Sequence, residues 1–220
     1  MIMLSDVTKS YEKEYILKNL SFTVGKGELT FITGPSGAGK TTLLKLIYCS
    51  EHPDSGHIVV GDWPVTKLKQ KAIPYLRRSI GIVFQDFKLL NNLTIFENVA
   101  LTLRINGMSG SEIKEQVNSI LREVKLSHKS NIYPLQLSGG EQQRVVVARA
   151  TVTKPAVLLA DEPTGNLDAN NTAVIMNLFS EINSRGTTVL IATHNEWLYQ
   201  GSGRRVFYLK DHHLDKEFIG

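Results

Sequence analysis

A glycine-rich segment occupies residues 34–41, with the sequence Gly34-Pro35-Ser36-Gly37-Ala38-Gly39-Lys40-Thr41. It fits the phosphate-loop pattern G-x-x-x-x-G-K-[ST], in which glycines let backbone N–H groups turn toward phosphate oxygens. The apolar run Leu29 to Thr33 precedes the segment, and the helix-compatible run Thr42 to Tyr48 follows it. A strand before the loop and a helix after it are the context that this pattern requires. The segment therefore predicts a nucleotide-binding site from Gly34 to Thr42.

The last two residues of the pattern carry the polar side chains that phosphate chemistry needs. Lys40 supplies a point charge to the phosphate oxygens, so it is both a binding and a catalytic candidate. The Thr41 hydroxyl can ligate Mg²⁺, the ion that accompanies nucleoside triphosphates. A nucleoside triphosphate with Mg²⁺ is therefore the expected ligand.

Two adjacent carboxylates follow a second apolar run, Val157 to Ala160. Adjacent residues of a strand point to opposite faces, so Asp161 and Glu162 cannot share one task unless the chain bends between them. We assign Asp161 to Mg²⁺ and Glu162 to the attacking water, as general base. Such a pair at a strand end is often only solvent-exposed, but the phosphate loop upstream favours the functional interpretation.

A third element, Ser138-Gly139-Gly140-Glu141, precedes the helix-compatible run Val145 to Ala150. A Ser-Gly-Gly turn at the start of a helix offers a hydroxyl, free backbone N–H groups and a helix N-terminus to an anion. Taken alone, an ordinary loop with an N-cap explains the segment equally well. One chain can use two phosphate-binding elements if the second contacts a nucleotide that another copy of the chain holds.

Short β-type runs alternate with helical patterns along much of the chain, which predicts an α/β fold with a mostly parallel sheet. Several of these runs are apolar enough to be buried on both faces. The strand candidates are Leu20 to Val24, Leu29 to Thr33, Ile80 to Phe84, Val157 to Ala160 and Thr188 to Ala192.

The middle third of the sequence has helical periodicity and few strand signals. One apolar stripe at helical spacing consists of Ile113, Val117, Ile120, Leu121 and Val124. Ser109 or Ser111 is the candidate N-cap of this helix. The pattern predicts a single domain of residues 1–220, in which residues 86–153 form a helical subdomain within a catalytic core of residues 1–85 and 154–220.

The amino-acid composition limits the classes of protein to which the chain can belong. The chain of 220 residues has 42% hydrophobic and 21% charged residues, which is typical of a globular domain. No apolar run approaches the ~20 residues of a membrane span, and the N-terminus does not resemble a signal peptide, so we expect a cytoplasmic protein. The single cysteine, Cys49, is predicted to be a buried thiol.

The net charge of +4 includes a group of basic residues at positions 67–78. We interpret this group as a solvated helix face, with a weak attraction to a membrane surface as the alternative. No direct contact with nucleic acid is expected, because no aromatic residues interleave with the basic ones. The residues are Lys67, Lys69, Lys71, Arg77 and Arg78.

With these elements in this order, the sequence resembles the ATP-binding-cassette (ABC) ATPases over nearly its whole length. The resemblance implies a P-loop NTPase of ABC type with an N-terminal antiparallel β part beside the parallel sheet. It implies that Tyr11, in the turn after the first strand, stacks on adenine. It also implies that Gln85 contacts Mg²⁺ and the attacking water, and that His194 contacts the γ-phosphate. The segment Gly165 to Asp168 corresponds to a loop that meets a second copy.

The resemblance further implies a mechanism in which two copies enclose two ATP molecules head to tail. One copy supplies most of each site: Tyr11, the phosphate loop, Gln85, Asp161, Glu162 and His194. The segment from Ser138 to Glu141 comes from the other copy. The expected cofactors are therefore ATP and Mg²⁺, and the expected assembly is a homodimer that forms on ATP binding.

Within the family, four stretches are most similar to its cell-division members: Phe31 to Lys40, Leu76 to Asp86, Ser138 to Arg144 and Lys154 to Asp168. This similarity implies an integral membrane partner, a place on the inner face of the cell membrane and a role in controlling cell-wall hydrolysis. ATPases of lipoprotein release or macrolide export are the first alternative. Soluble ABC ATPases of DNA repair or translation are the second, although the chain has one phosphate loop and no sustained heptad run.

Overall fold

The computed structural model describes all 220 residues. The strands are β1 (Ile2–Tyr11), β2 (Glu14–Val24), β3 (Leu29–Thr33), β4 (Ser55–Val60), β5 (Trp63–Pro64), β6 (Ile80–Val83), β7 (Val157–Asp161), β8 (Thr188–Ala192), β9 (Arg205–Lys210) and β10 (His213–Ile219). The α-helices are α1 (Lys40–Ile47), α2 (Ile73–Ser79), α3 (Ile95–Ile105), α4 (Gly110–Glu123), α5 (Gly139–Thr151) and α6 (Ala169–Ser184).

The strands form two sheets. The larger has six strands in the order β10-β9-β3-β8-β7-β6, and all neighbours are parallel except the β9–β10 hairpin. The smaller has four antiparallel strands in the order β2-β1-β4-β5. The predicted α/β fold with an antiparallel N-terminal part is confirmed.

The central strands of the larger sheet are buried on both faces, as their apolar sequences predict. Side chains along β3 and β7 alternate between two hydrophobic clusters. Ile32 and Leu159 belong to a cluster that also contains residues of α1 and the smaller sheet. Phe31 and Leu158 belong to a cluster that includes residues of α5 and α6. The sheet is therefore fixed between helices on either side.

Helices α3, α4 and α5 share a third cluster, which contains the predicted stripe of α4 except for the partly buried Ile120. Ser109 is the N-cap of α4 and forms a capping box with Glu112, so of the two cap candidates the structure selects Ser109. Helix α5 is buried on more than one side. Val145 packs in this third cluster, whereas Val146 packs in the cluster under the larger sheet. Helix α5 thus joins the helical part to the sheet.

Two polar side chains hold the loop between β6 and α3. The Arg149 guanidinium on α5 donates to the carbonyl oxygens of Phe87 at 2.7 Å and Lys88 at 2.6 Å. Both loop residues have positive φ angles, 55° and 52°. The buried Asn98 of α3 bonds to four backbone groups of residues 90–94. The loop that follows Gln85 is therefore attached to two helices.

The basic residues between positions 67 and 78 do not share a helix face, which corrects the sequence interpretation. Only Arg77 and Arg78 lie on an α-helix, α2, whereas the lysines lie on two 3₁₀ turns and the loop between them. The guanidinium of Arg77 also donates to the carbonyl oxygens of Tyr48 and Cys49.

Cys49 is buried as a free thiol, as predicted. No helix is long and apolar enough to cross a bilayer.

Candidate functional site

The predicted site residues meet because of the order of the parallel strands. The phosphate loop follows β3, His194 follows β8, Asp161 ends β7 and Gln85 follows β6. These four strands are neighbours, and the carboxyl ends of parallel strands share one edge of the sheet. A cleft of about 670 Å³ opens at this edge. The predicted residues that line it are Gly34, Pro35, Ser36, Gly37, Ala38, Gly39, Lys40, Thr41, Thr42, Gln85, Glu162 and His194.

The phosphate loop needs glycine at both ends for steric reasons. Gly34 has φ 145°, and a Cβ there would lie 2.2 Å from the Leu209 carbonyl oxygen. Gly39 has φ 92°, and a Cβ there would lie 2.7 Å from the Leu17 side chain. A side chain at either position would therefore push the loop away from the sheet.

The start of α1 presents unused hydrogen-bond donors to the cleft. The backbone amides of residues 39–42 donate to no acceptor in the chain, as is usual for the first turn of a helix. Lys40 Nζ donates to the carbonyl oxygens of Gly34 at 2.8 Å and Pro35 at 3.1 Å. Burial lowers the pKa of Lys40, while the carboxylates of Glu162 and Asp161 oppose that shift. The loop, its amides and the lysine form an anion site.

Thr41 lines the cleft, and Asp161 lies beside it at the end of β7. The Thr41 hydroxyl donates to Asp161 Oδ1 at 3.1 Å. Burial raises the pKa of Asp161, Glu162 adds to the increase, and the Thr41 hydrogen bond opposes it. One hydroxyl and one carboxylate fit Mg²⁺, which usually takes few protein ligands and completes its shell with substrate phosphates and water. A cation at this point would remove the cost of the buried Asp161 charge.

Glu162 adopts a backbone conformation that turns its side chain to the cleft. Its φ is 43°, so the chain bends after β7. This bend lets Asp161 and Glu162 both face the phosphate loop although they are adjacent in sequence. The carboxylate is mostly covered, at 11% exposure, and lies 2.8 Å from Nδ1 of His194. The Thr193 hydroxyl donates to its second oxygen at 3.2 Å. The side chain is thus held at the cleft by two residues that follow β8.

Six predicted residues are not part of the cleft lining: Tyr11, Asp161, Ser138, Gly139, Gly140 and Glu141. Tyr11 is the last residue of β1 rather than a turn residue, and its hydroxyl bonds to Glu51. Ser138 is the N-cap of α5, with a capping box to Glu141, so it has the N-cap role that the sequence left open. No residue from 138 to 141 lines the cleft of the same chain.

The sequence analysis missed four residues that line the cleft. None of them carries a motif of its own, and Ile16 reaches the cleft from β2 of the smaller sheet, so only the structure could identify them. They are Ile16, Thr33, Glu196 and Tyr208.

Comparisons with known proteins agree with this geometry. The family model described as ABC transporter matches residues 17–165. The cell division ATP-binding protein FtsE of Bacillus subtilis (strain 168) is 47% identical over 212 residues, which cover 96% of this chain and 93% of that protein. The protein of the same name from Escherichia coli (strain K12) is 48% identical over 215 residues, 97% of each chain.

Solved structures of similar proteins include a dimeric ATP-binding cassette in a post-hydrolysis state, bound to ADP and Pi. Its TM-score is 0.91 with 38% identity, over 100% of this chain and 98% of that one. A dimeric bacterial ABC transporter cassette has a TM-score of 0.91 and 39% identity with the same coverage. A phosphate loop, a carboxylate pair and a histidine at one sheet edge are the parts that an ATPase of this class needs. The chain therefore belongs to the ABC transporter family, as an ATP-binding cassette similar to the FtsE cell-division proteins.

Proposed function

We propose that two copies of the chain enclose two ATP molecules, hydrolyse them and thereby drive a membrane protein in cell division. The observation that carries the ATPase part is the meeting of the phosphate loop, Glu162 and His194 in one cleft, with Asp161 hydrogen-bonded to Thr41 of that loop. As a member of its family, the chain binds ATP and is an ATPase. The cell-division part is supported by the FtsE relatives, which match almost end to end.

Each side chain has a task in the proposed reaction. The amides of residues 39–42 and the Lys40 ammonium bind the phosphates and offset their charge. Glu162 accepts a proton from the attacking water, and His194 holds the Glu162 carboxylate in place. Gln85, which lines the same cleft, orients the water. Thr41 and Asp161 would hold Mg²⁺, which supplies charge stabilisation to the phosphates when bound.

The second copy would complete each site. Ser138 and Gly139, at the start of α5, are exposed, whereas Gly140 is buried, and none of the three lines the cleft of its own chain. The N-terminal amides of α5 are suited to an anion, as those of α1 are. Ser138, Gly139, Gly140 and Glu141 of one copy would therefore contact the ATP of the other. The dimeric cassettes among the similar structures support this arrangement.

The partner would be an integral membrane protein of the FtsX type, so the cassette would lie on the cytoplasmic face of the cell membrane. The chain would transmit the closing and opening of its dimer to that partner, which would control cell-wall hydrolysis. An ATPase subunit of an export or lipoprotein-release transporter is the alternative, because the same cleft would serve that task.

The test identifies the membrane protein that co-purifies with a variant that binds ATP but cannot hydrolyse it. Tagged Glu162→Gln protein is produced in its native host, and membranes are solubilised with ATP and Mg²⁺. Mass spectrometry then identifies the proteins that co-purify, with the Lys40→Ala variant as the control. Recovery of an FtsX-like protein is expected. Recovery of a permease of the export or lipoprotein-release type would support the alternative. If no membrane protein co-purified, both proposals would be contradicted.

A further inference from the structure

Two acidic residues after α1 hold the end of β1. Asp54 Oδ2 accepts hydrogen bonds from the Ser10 amide at 2.7 Å and the Ser10 hydroxyl at 2.6 Å. Glu51 accepts a hydrogen bond from the hydroxyl of Tyr11, the last residue of the strand. The strand end is thus attached to the segment that follows the phosphate-binding helix.

Glu51 also binds that helix directly. Its second oxygen lies 3.2 Å from Nζ of Lys45, which is on α1, the helix that begins with Lys40. Burial raises the pKa of Glu51, but hydrogen bonds from Tyr11 and Lys45 outweigh it, and the pKa lies below its ordinary value. One ionised carboxylate therefore connects Tyr11 to the helix of the phosphate loop.

The Tyr11 ring keeps a surface open to a planar ligand. Lys9 Nζ lies over the ring, 5.2 Å from its centroid. The residue is still 40% exposed, and no other aromatic ring packs against it. A ring that is held in one position loses less conformational freedom when a base stacks on it.

We propose that Glu51 is a positioning residue for the nucleotide: by binding Tyr11 and Lys45 together, it fixes the Tyr11 ring relative to the phosphate loop. This inference rests on the proposed function and on a role for Tyr11 in stacking on adenine, which the family resemblance implies. The site then selects ligands that carry both a base and phosphates, because the two contact points are held at one separation. A bare phosphate chain uses only the loop and gains nothing from Glu51.

The experiment compares ADP with inorganic pyrophosphate by calorimetry, so that hydrolysis does not interfere. Glu51→Gln keeps the size of the side chain but removes its charge. Tyr11→Phe keeps the ring but removes its hydroxyl. Each variant should weaken ADP binding about three- to tenfold, as expected for one hydrogen bond to a charged group at a partly exposed site. Pyrophosphate binding should not change, and the KM for ATP should rise more than kcat falls.

Glu14→Gln is the matched control, since Glu14 pairs with Tyr11 in the β1–β2 register and its side chain forms no hydrogen bond or ion pair. The double variant Tyr11→Phe/Glu51→Gln should lose no more ADP affinity than Tyr11→Phe alone, because Glu51→Gln weakens the contact that Tyr11→Phe removes. Thermal denaturation of each variant excludes a general loss of folding as the cause.

Tyr11→Ala separates this inference from the function on which it rests. If Tyr11→Ala weakens ADP binding but Glu51→Gln and Tyr11→Phe bind ADP like wild type, the positioning role is wrong and the role of Tyr11 stands. If Tyr11→Ala also binds ADP normally, both are wrong. Equal losses for ADP and pyrophosphate in Glu51→Gln would likewise overturn the inference, because they would indicate a damaged phosphate loop.

Discussion

Asp161 and Glu162 are neighbours in sequence with different surroundings. Asp161 ends a buried strand and bonds to Thr41, whereas Glu162 has a left-handed backbone and bonds to His194 and Thr193. The bend brings both carboxylates toward the phosphate loop from different sides. One carboxylate can therefore hold a cation while the other accepts a proton.

Because the charge of Asp161 is buried, we expect it to lower the stability of the folded protein in a pH-dependent way when nucleotide and Mg²⁺ are absent. Its folded-state pKa is raised above the ordinary value of 3.8, first by burial. A raised carboxyl pKa favours the folded state only while the group is protonated, so this contribution is lost as pH rises from 3.8 through the folded-state pKa. Asp161→Asn should therefore become more stable relative to wild type as the pH rises above 3.8.

Thermal denaturation of both proteins at increasing pH, in EDTA, measures that difference. Glu181→Gln, an exposed change on α6, is the control and should show no such trend. A stability difference that shrinks as pH rises would contradict the burial of the Asp161 charge. The same Asp161→Asn variant should lose ATPase activity, because its amide is a poorer ligand for Mg²⁺.

At the scale of elements, Arg149 connects α5 to the loop after β6. Its guanidinium bonds to two loop carbonyls, and burial lowers its pKa. Arg149→Met keeps much of the apolar stem but leaves the Phe87 and Lys88 carbonyls without this partner. We expect a loss of about 2–3 kcal/mol in the free energy of unfolding, from two hydrogen bonds to a charged group.

Urea denaturation measures the loss, and hydrogen exchange locates it. Exchange should become faster in residues 86–94, where the loop loses its attachment. Arg104→Met, at an exposed position of α3 whose side chain has no partner, should change neither result. An Arg149→Met protein as stable as the control would show that the two hydrogen bonds contribute nothing.

The sequence was most informative where apolar runs were continuous or strictly periodic. The buried strands β3, β7 and β8 and the stripe of α4 were predicted within one or two residues, because their burial leaves few polar positions. Strands β1, β4, β9 and β10 were not identified individually. Their exposed sides carry charged and polar residues such as Lys9, His57 and Glu217, which weaken the apolar pattern.

The site was predictable to the extent that motifs mark it. The phosphate loop, Asp161 and Glu162 follow from local patterns, whereas Gln85, His194 and Tyr11 required a family resemblance. Tyr208 and Glu51 carry no local signal, since β9 and the loop after α1 bring them near the nucleotide cleft only in three dimensions. The boundaries of the helical subdomain at residues 86 and 153 stay predictions.

One complete nucleotide site requires two copies of the molecule. Ser138→Arg should abolish turnover of the homodimer but spare ATP binding by the monomer, because Ser138 does not line its own cleft. Lys40→Ala should abolish turnover by weakening phosphate binding. A mixture of the two inactive variants should regain ATPase activity, because a mixed dimer has one site with both elements intact.

The mixing experiment distinguishes action between copies from action within one copy. If Ser138 served the cleft of its own chain, every site in the mixture would carry a defect, and activity would stay absent. Failure of the isolated Ser138→Arg monomer to bind ATP would also contradict the account. Ser111→Arg, an exposed change at the start of α4, is the control for the added charge.

The central claim is that Glu162 is the base of an ATPase that closes around ATP as a dimer. The direct test measures ATP turnover of Glu162→Gln together with its mass by size-exclusion chromatography and light scattering, with ATP and Mg²⁺. The account predicts a dimer that retains ATP and a turnover lower by ~10²-fold or more, because the metal and phosphate contacts persist without the base. Wild-type turnover by Glu162→Gln, or a monomer with ATP bound, would contradict it.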